Sequence, residues 1–371
     1  MDRAGWCPRT YSYNNRADTT HLTMNKGRIV TRAAFDIGSG KTKMLVADVD
    51  TTLGTLAHLH LSVDASVPFK SDVLASGDAR ELSGGVIRRG LGVLRDLADR
   101  AARCGAVPPH AGIATDVFRG ARNGEDFVSR VRREAGIDAR IVSQEEEAAV
   151  GFLTAVALGG AGSGADGRRM LAWDSGGGSY QISNVMKGAP PVVRASVGPW
   201  GSSGAWCALI ERVRGLRFER QTANPVRRAE AERLVALIRD DLARTPVEPW
   251  VGELGAAPSA HLVGFGGDTC IFRVVEQLSG KTVQTRDDVQ EALEKMLDQS
   301  DAQIVALGIH DEYQLAVPKL CLMAAVIDHL HLGALRYQPA NGSCAGLLIY
   351  DTAMGVTKYW PEVPPPPVLD P

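Results

Sequence analysis

From residue 28 onward, short apolar, β-prone runs alternate with amphipathic stretches of helical period. Residues 28–35 and 43–49 read as two strands joined by a glycine-rich turn, a hairpin. The same device returns at residues 170–173 and 180–186. Between the hairpins the spacing predicts a helix over 90–104, a buried strand over 112–115, a helix over 126–135, a strand over 137–142 and a further helix opening after Ser143. The second half predicts a long helical region over about 204–242, a strand over 261–265, and helices over 270–278, 289–299 and 318–331. This is alternating α/β material. The glycine-rich residues 159–167 mark a crossing between two lobes. The predicted division is an N-terminal extension (1–27), a first lobe (28–158), a linker (159–169), a second lobe (170–358) and a proline-rich tail (359–371).

Composition narrows the function classes. At 371 residues the chain is expected to hold two domains, and its 44% hydrophobic content suffices for two cores. No apolar run reaches membrane-spanning length, so no membrane partner is expected. A net charge of −2 supplies no general attraction for polyanions. Nucleic acid is therefore not expected, and any phosphate-rich ligand must be held by local clusters. Six scattered cysteines without a CxxC pair, and a polar start without the apolar centre of a signal peptide, point to reduced thiols and a cytoplasmic location. Met24 is an alternative initiator to Met1.

The chemistry concentrates in the turns of the two hairpins. The first reads Asp36-Ile37-Gly38-Ser39-Gly40-Lys41-Thr42-Lys43 and the second Asp174-Ser175-Gly176-Gly177-Gly178-Ser179. Each opens with a carboxylate at a strand end, which can hold Mg²⁺ or its waters, and continues with glycines whose amides can converge on phosphate oxygens. One such turn alone reads as an ordinary hairpin. Its repetition at the same strand-turn-strand position favours phosphate binding. The first turn is not a Walker loop, because Phe35 stands where the leading glycine is required and a strand follows where a helix is needed. A third loop, Gly264-Phe265-Gly266-Gly267-Asp268-Thr269, lies between an apolar strand and a helix start, an arrangement that can receive an anion.

These three loops in this order resemble the superfamily of actin, sugar kinases and heat-shock chaperone ATPases. Residues 112–153, GIATDVFRGARNGEDFVSRVRREAGIDARIVSQEEEAAVGF, narrow the resemblance to the exopolyphosphatase / guanosine pentaphosphatase (Ppx/GppA) family. With the segment SVGPWG at Ser196–Gly201, the resemblance covers roughly residues 29–350, and no continuation resembles the HD-type domain of longer members. It implies two actin-like (ribonuclease H-like) α/β lobes with a cleft between them. It also implies Mg²⁺-dependent hydrolysis of terminal phosphoanhydride bonds in polyphosphate or a guanosine polyphosphate, and it leaves a homodimer open. Carried over residue by residue, Glu147 matches the catalytic glutamate that activates water, Arg119 a phosphate-contacting arginine, and Asp36 and Asp174 the metal-associated carboxylates. Gly38, Ser39, Gly176, Gly177, Gly178 and Ser179 match the phosphate loops. Gly40, Lys41, Gly266 and Gly267 complete the expected phosphate-binding set.

The same residues admit plainer roles. Ser143 and Glu146 are spaced as a capping box, so the run Glu145-Glu146-Glu147 could be helix-start chemistry. Arg119 could form a surface ion pair, and Arg212, Arg214, Arg217, Arg220, Arg227 and Arg228 read better as a solvated helix face than as a polyphosphate path. His329 and His331 lack further metal ligands and receive no site. Several positions depart from the family pattern: Gly40-Lys41 for Asn-Ser/Thr, Asp116 for a small hydroxyl residue, Tyr180-Gln181 for Thr-Glu, Asp268 in the third loop, and residues 341–346 without the expected acid and arginine. Lys43, seven residues after Asp36, has the spacing of actin's phosphate-binding lysine. The alternatives are therefore an actin-like ATPase and a non-catalytic protein that binds polyphosphate or an alarmone.

Overall fold

The computed structural model describes residues 9–10, 28–159, 169–186, 188, 191–219, 221–257 and 260–361. The chain forms two compact units, Met1–Ala157 with Asn341–Pro371, and Leu158–Ala340. The predicted linker falls mostly outside the described residues, as does most of the N-terminal extension.

The first unit is built on β1 (Arg9–Thr10), β2 (Ile29–Ile37), β3 (Lys41–Asp50), β4 (Thr55–Ser66), β5 (His110–Ala114) and β6 (Ile137–Ile141), in the order β1-β4-β3-β2-β5-β6. Strands β4, β3 and β2 run antiparallel, whereas β2, β5 and β6 run parallel. The predicted hairpin is thus β2-β3. The sequence reading omits β4, whose register slips twice against β3 and whose first half is only partly covered, so no clean two-residue alternation marks it. It also treats residues 1–27 as a plain extension, although Arg9–Thr10 pairs with β4.

Five helices follow the strands: α1 (Phe69–Ala75), α2 (Gly84–Arg103), α3 (Val117–Gly120), α4 (Gly124–Ala135) and α5 (Gln144–Leu158). Helix α2 starts earlier than predicted because Ser83 accepts the Val86 amide as its N-cap. Buried Phe69, Phe118 and Phe127 pack with ring centroids 4.9–5.4 Å apart. Each of the first two precedes a charged residue, Lys70 and Arg119, so the aromatic cluster anchors the short helices that present those cations.

The second unit repeats the plan with β7 (Met170–Ser175), β8 (Tyr180–Met186), β9 (Val192–Gly198), β10 (His261–Gly266), β11 (Val283–Gln284) and β12 (Leu335–Pro339), ordered β11-β12-β10-β7-β8-β9. Strands β9, β8 and β7 are antiparallel, and β7, β10 and β12 parallel. Each unit therefore carries three antiparallel strands followed by two parallel ones, the ribonuclease H-like order. Its helices are α6 (Ser202–Ala208), α7 (Arg228–Leu242), α8 (Pro249–Gly255), α9 (Ile271–Ser279), α10 (Arg286–Met296), α11 (Asp301–Ala306) and α12 (Ala316–Leu330). The helix predicted over 204–242 is broken. After α6 a π turn spans Leu209–Val213, and Gly215 then takes the left-handed conformation that ends it. Within this span Arg212 pairs with Asp241, Arg214 with Glu230, and Arg228 with Glu294. Arg220 lies outside the described residues.

The chain then returns. The second unit ends at Ala340, not at residue 358, because residues from Asn341 onward pack into the first unit. Buried Asn341 donates to the carbonyls of Met44 and Val63 at 3.1 and 2.8 Å, and α13 (Cys344–Met354) packs on β2 and β3. The predicted tail is likewise not free at its start. Tyr359 and Trp360 are buried, their amides donate to Asp351, and the Arg32 guanidinium lies 4.4 Å from the Trp360 ring centroid. Residues 362–371 lie outside the described residues. Among the described residues no helix is long and apolar enough to cross a membrane.

Helix α13 can approach α5 only because residue 346 is glycine. Its amide donates to Thr154 Oγ1 at 2.8 Å, and a Cβ there would stand 2.0 Å from the Val150 carbonyl oxygen. Gly346→Ala is expected to destabilise the first unit by on the order of 3 kcal/mol, read from the midpoint of chemical unfolding. A wild-type midpoint would contradict this packing.

Candidate functional site

The first turn is the three-residue link Gly38-Ser39-Gly40 between β2 and β3. Gly38 N–H donates to the Lys41 carbonyl at 3.0 Å, and a Cβ on Gly38 would stand 3.1 Å from that oxygen. The turn's carbonyls face back into the fold. Ser39 O accepts the Lys70 amide at 2.9 Å, and Gly40 O the Val67 amide at 3.1 Å. The amides of Ser39 and Gly40 have no acceptor among the described residues, which leaves two donors for an anion. Gly38 and Gly40 do not take left-handed angles. For Gly38 it is the missing side chain that matters.

Asp36, 6% exposed, sits one residue before the end of β2. Its Oδ2 accepts the Ser343 amide at 3.0 Å and faces Lys43 Nζ at 3.4 Å. Its Oδ1 accepts no hydrogen bond among the described residues. Strand register places Asp36, Lys43 and Asp64 side by side across β2, β3 and β4. Lys41 bonds to Asp64 at 3.0 Å. The cation expected at the phosphate turn therefore rests on the β4 carboxylate.

Beyond β5 the chain turns sharply at Asp116, whose backbone stands at φ 33°, ψ −90°, a strained conformation for a residue with a side chain. Its carboxylate accepts the Ser39 hydroxyl at 2.7 Å and the Lys70 ammonium at 3.0 Å. Burial pushes the Asp116 carboxyl up, but these two hydrogen bonds and the charges of Lys70 and Arg119 outweigh it and hold the group below its ordinary value. Arg119, in α3, donates to Glu147 Oε2 at 2.7 Å and to the Val142 carbonyl at 3.1 Å. Glu147 is thus paired with Arg119. Only half of the predicted capping box forms. Ser143 Oγ accepts the Glu146 amide, while the Glu146 carboxylate goes to the Tyr359 hydroxyl and to Lys358. Glu147 lies one residue on in the first turn of α5, its side chain 16% exposed.

The second turn repeats the closing hydrogen bond of the first. Gly176 N–H donates to the Ser179 carbonyl at 2.9 Å, two residues after Asp174 as Gly38 is two after Asp36. Here the start of α6 holds the turn. Gly176 O accepts the Ser202 amide at 3.0 Å and Gly177 O the Ser203 amide at 2.9 Å. A Cβ on Gly201 would stand 2.4 Å from the Gly177 carbonyl carbon, which explains that glycine in the SVGPWG segment. Fully buried Trp173, packed on Phe272, anchors Asp174. The third loop is adjacent in the same sheet, because Phe265 of β10 pairs with Asp174 of β7. Its carbonyls are committed. Gly266 O accepts the Ala340 amide and the Tyr337 hydroxyl, and Gly267 O the Cys270 amide. Cys270 caps α9, and burial pushes its thiol up to about 11.

Residues 70–196, which include Lys70, Asp116, Arg119, Glu147 and the whole second turn, match the Ppx/GppA phosphatase family. Over this span, about a third of the chain, the sequence is similar to that family. It is 30% identical over 161 residues to exopolyphosphatase 1 of Mycobacterium tuberculosis and of Mycobacterium bovis. That match covers 43% of this chain and 43% of the mycobacterial proteins, so the chain spans less than half the length of the curated relatives it matches. A solved Ppx/GppA family member from Aquifex aeolicus superposes with a TM-score of 0.65 at 19% identity, over 89% of this chain and 100% of that one. An exopolyphosphatase from Cytophaga hutchinsonii gives 0.62 at 17%, over 88% and 99%. These likenesses establish the Ppx/GppA fold for the chain.

Sequence reasoning missed Lys70, Gly342 and Ser343. Lys70 carries no local motif. Gly342, at φ 61°, leaves no room for a side chain, since a Cβ would stand 2.1 Å from Asp36 Oδ2. The Asn-Gly-Ser run at 341–343 carries the local signal, and in sequence it stands as a departure from the family pattern.

Because the Asp116 carboxyl is held low in the folded state, its contribution to stability is present above the ordinary aspartate value and lost as pH falls through the folded one. The stability difference between wild type and Asp116→Asn is therefore expected to be largest near neutrality. It should narrow as pH falls from about 6 to about 3, followed by urea unfolding at each pH. A difference independent of pH would contradict the ion-paired assignment.

Proposed function

We propose that this protein is a phosphohydrolase that cleaves terminal phosphoanhydride bonds of inorganic polyphosphate or of a guanosine pentaphosphate, with Glu147 as the base that activates water. The observation that carries the reading is the Arg119–Glu147 pair, held within one unit that also carries the Asp36 turn. The turn offers two unclaimed amides to phosphate oxygens, and the Ser39 hydroxyl beside them donates to Asp116. Arg119 exchanges its carboxylate partner for the phosphoryl oxygens as substrate binds, and Glu147 accepts a proton. Water attacks the terminal phosphorus and forms the new P–O bond while its proton passes to Glu147. The bridging P–O bond breaks, and the shortened chain leaves with the electron pair as inorganic phosphate is released.

Magnesium fits this arrangement as a substrate-borne cation. Among the described residues no three acidic, histidine or cysteine side chains gather into a cage. A magnesium ion needs only one or two carboxylates besides waters and phosphate oxygens. Asp36 Oδ1 is suited to that role in the first unit, and Asp174, at the matching position, in the second. Bound there, Mg²⁺ would neutralise phosphate charge. A nucleotide-binding ATPase is the second reading, favoured by the Lys43 ammonium on Asp36, and it requires phosphate release from ATP alone.

Glu147→Gln is expected to lower turnover on polyphosphate by about 10²- to 10⁴-fold, with little change in KM or melting temperature. If Glu147 only shapes the start of α5, turnover stays at the wild-type level and only stability moves, by at most about 1 kcal/mol. Steady-state kinetics and thermal melts on one preparation separate the two.

A further inference from the structure

The Asp116 carboxylate makes the two contacts that a phosphate oxygen would make at the first turn. It accepts the Ser39 hydroxyl at 2.7 Å and the Lys70 ammonium at 3.0 Å. Lys70 is otherwise well placed to meet a ligand, because its own amide is fixed to the Ser39 carbonyl and its side chain is 42% exposed. The Asp116 side chain is 50% exposed, so it lies at the surface of the site, where an incoming anion can displace it. Its backbone is held at a positive φ that glycine would tolerate better. Strain of this kind persists where the surroundings enforce a function rather than where the chain merely passes through. The aspartate thus sits in an unfavourable conformation and carries a negative charge against a turn built to receive negative charge.

We infer that Asp116 is a specificity-determining residue, an internal anion that competes with substrate phosphate for Ser39 and Lys70. This rests on the reading of the first turn as a phosphate site. While Asp116 holds both groups, a phosphate chain must displace it and tolerate its charge nearby. Short, cation-free phosphates are weakened most, and chains that bring a divalent cation least, because the cation screens the two negative groups from each other. The lowered ionisation range of Asp116 agrees with this, since the carboxylate stays charged at neutral pH.

The test is calorimetric binding of inorganic tripolyphosphate to the full chain without divalent cations, for wild type, Asp116→Asn and Asp116→Gly. Asparagine removes the charge and keeps the shape, and glycine suits the backbone, so thermal melts show that at least one variant is folded. Both are expected to bind roughly tenfold more tightly than wild type, with the gain shrinking when Mg²⁺ is added. Lys70→Met should weaken binding more in the Asp116→Asn background than in wild type, because Lys70 is then no longer shared. Equal or weaker binding by the folded variants overturns the inference while leaving the phosphate site standing. Absence of binding in every variant overturns the inference and the phosphate reading together.

Discussion

The contact on which the first unit depends is the hydrogen bond from the Ser343 amide to Asp36, made across 307 residues of sequence. It fixes the end of β2 to the start of α13 and so closes a unit assembled from the two ends of the chain. The geometry leaves little latitude. Gly342 passes close enough that any side chain would strike the carboxylate, and Asn341 is tied to the backbones of β3 and β4 one register position from the same charge row. A buried carboxylate is costly unless it is paired and hydrogen-bonded, and Asp36 receives both from Lys43 and Ser343 through one oxygen. The other oxygen remains for chemistry. One residue thus serves as a tertiary joint and as a candidate ligand.

The two turns show how one local solution was used twice. In each, a glycine two residues beyond the aspartate donates to the carbonyl three residues further on, and the next carbonyls are bonded by the start of a following helix or segment. With the carbonyls turned inward, unclaimed amides remain for an anion. The units differ in what holds the turn. In the first it is Val67 and Lys70, ahead of and within α1, and in the second the start of α6, whose close approach depends on Gly201. The first turn is covered by an acidic side chain from a neighbouring loop, Asp116.

Much of this was legible in the sequence because the signals are local. The paired hairpins follow from apolar alternation around Asp-x-Gly, and the 112–153 block singles out Arg119 and Glu147, though not the ion pair they form. What was not legible depends on tertiary packing. Strand β4 was hidden by two register slips, the break after α6 by a π turn that keeps a helical period, and the return of Asn341–Pro371 by contacts with residues some 300 positions away. Lys70 could not be singled out, because its role comes from lying opposite Asp116, 46 residues later.

The most direct test of the account is phosphate release by the wild-type protein with Mg²⁺, measured side by side on long-chain polyphosphate, guanosine pentaphosphate, ATP and a simple phosphate monoester. The account expects release from polyphosphate or guanosine pentaphosphate and none from the monoester. Release from ATP alone, or from none of the four, would contradict it.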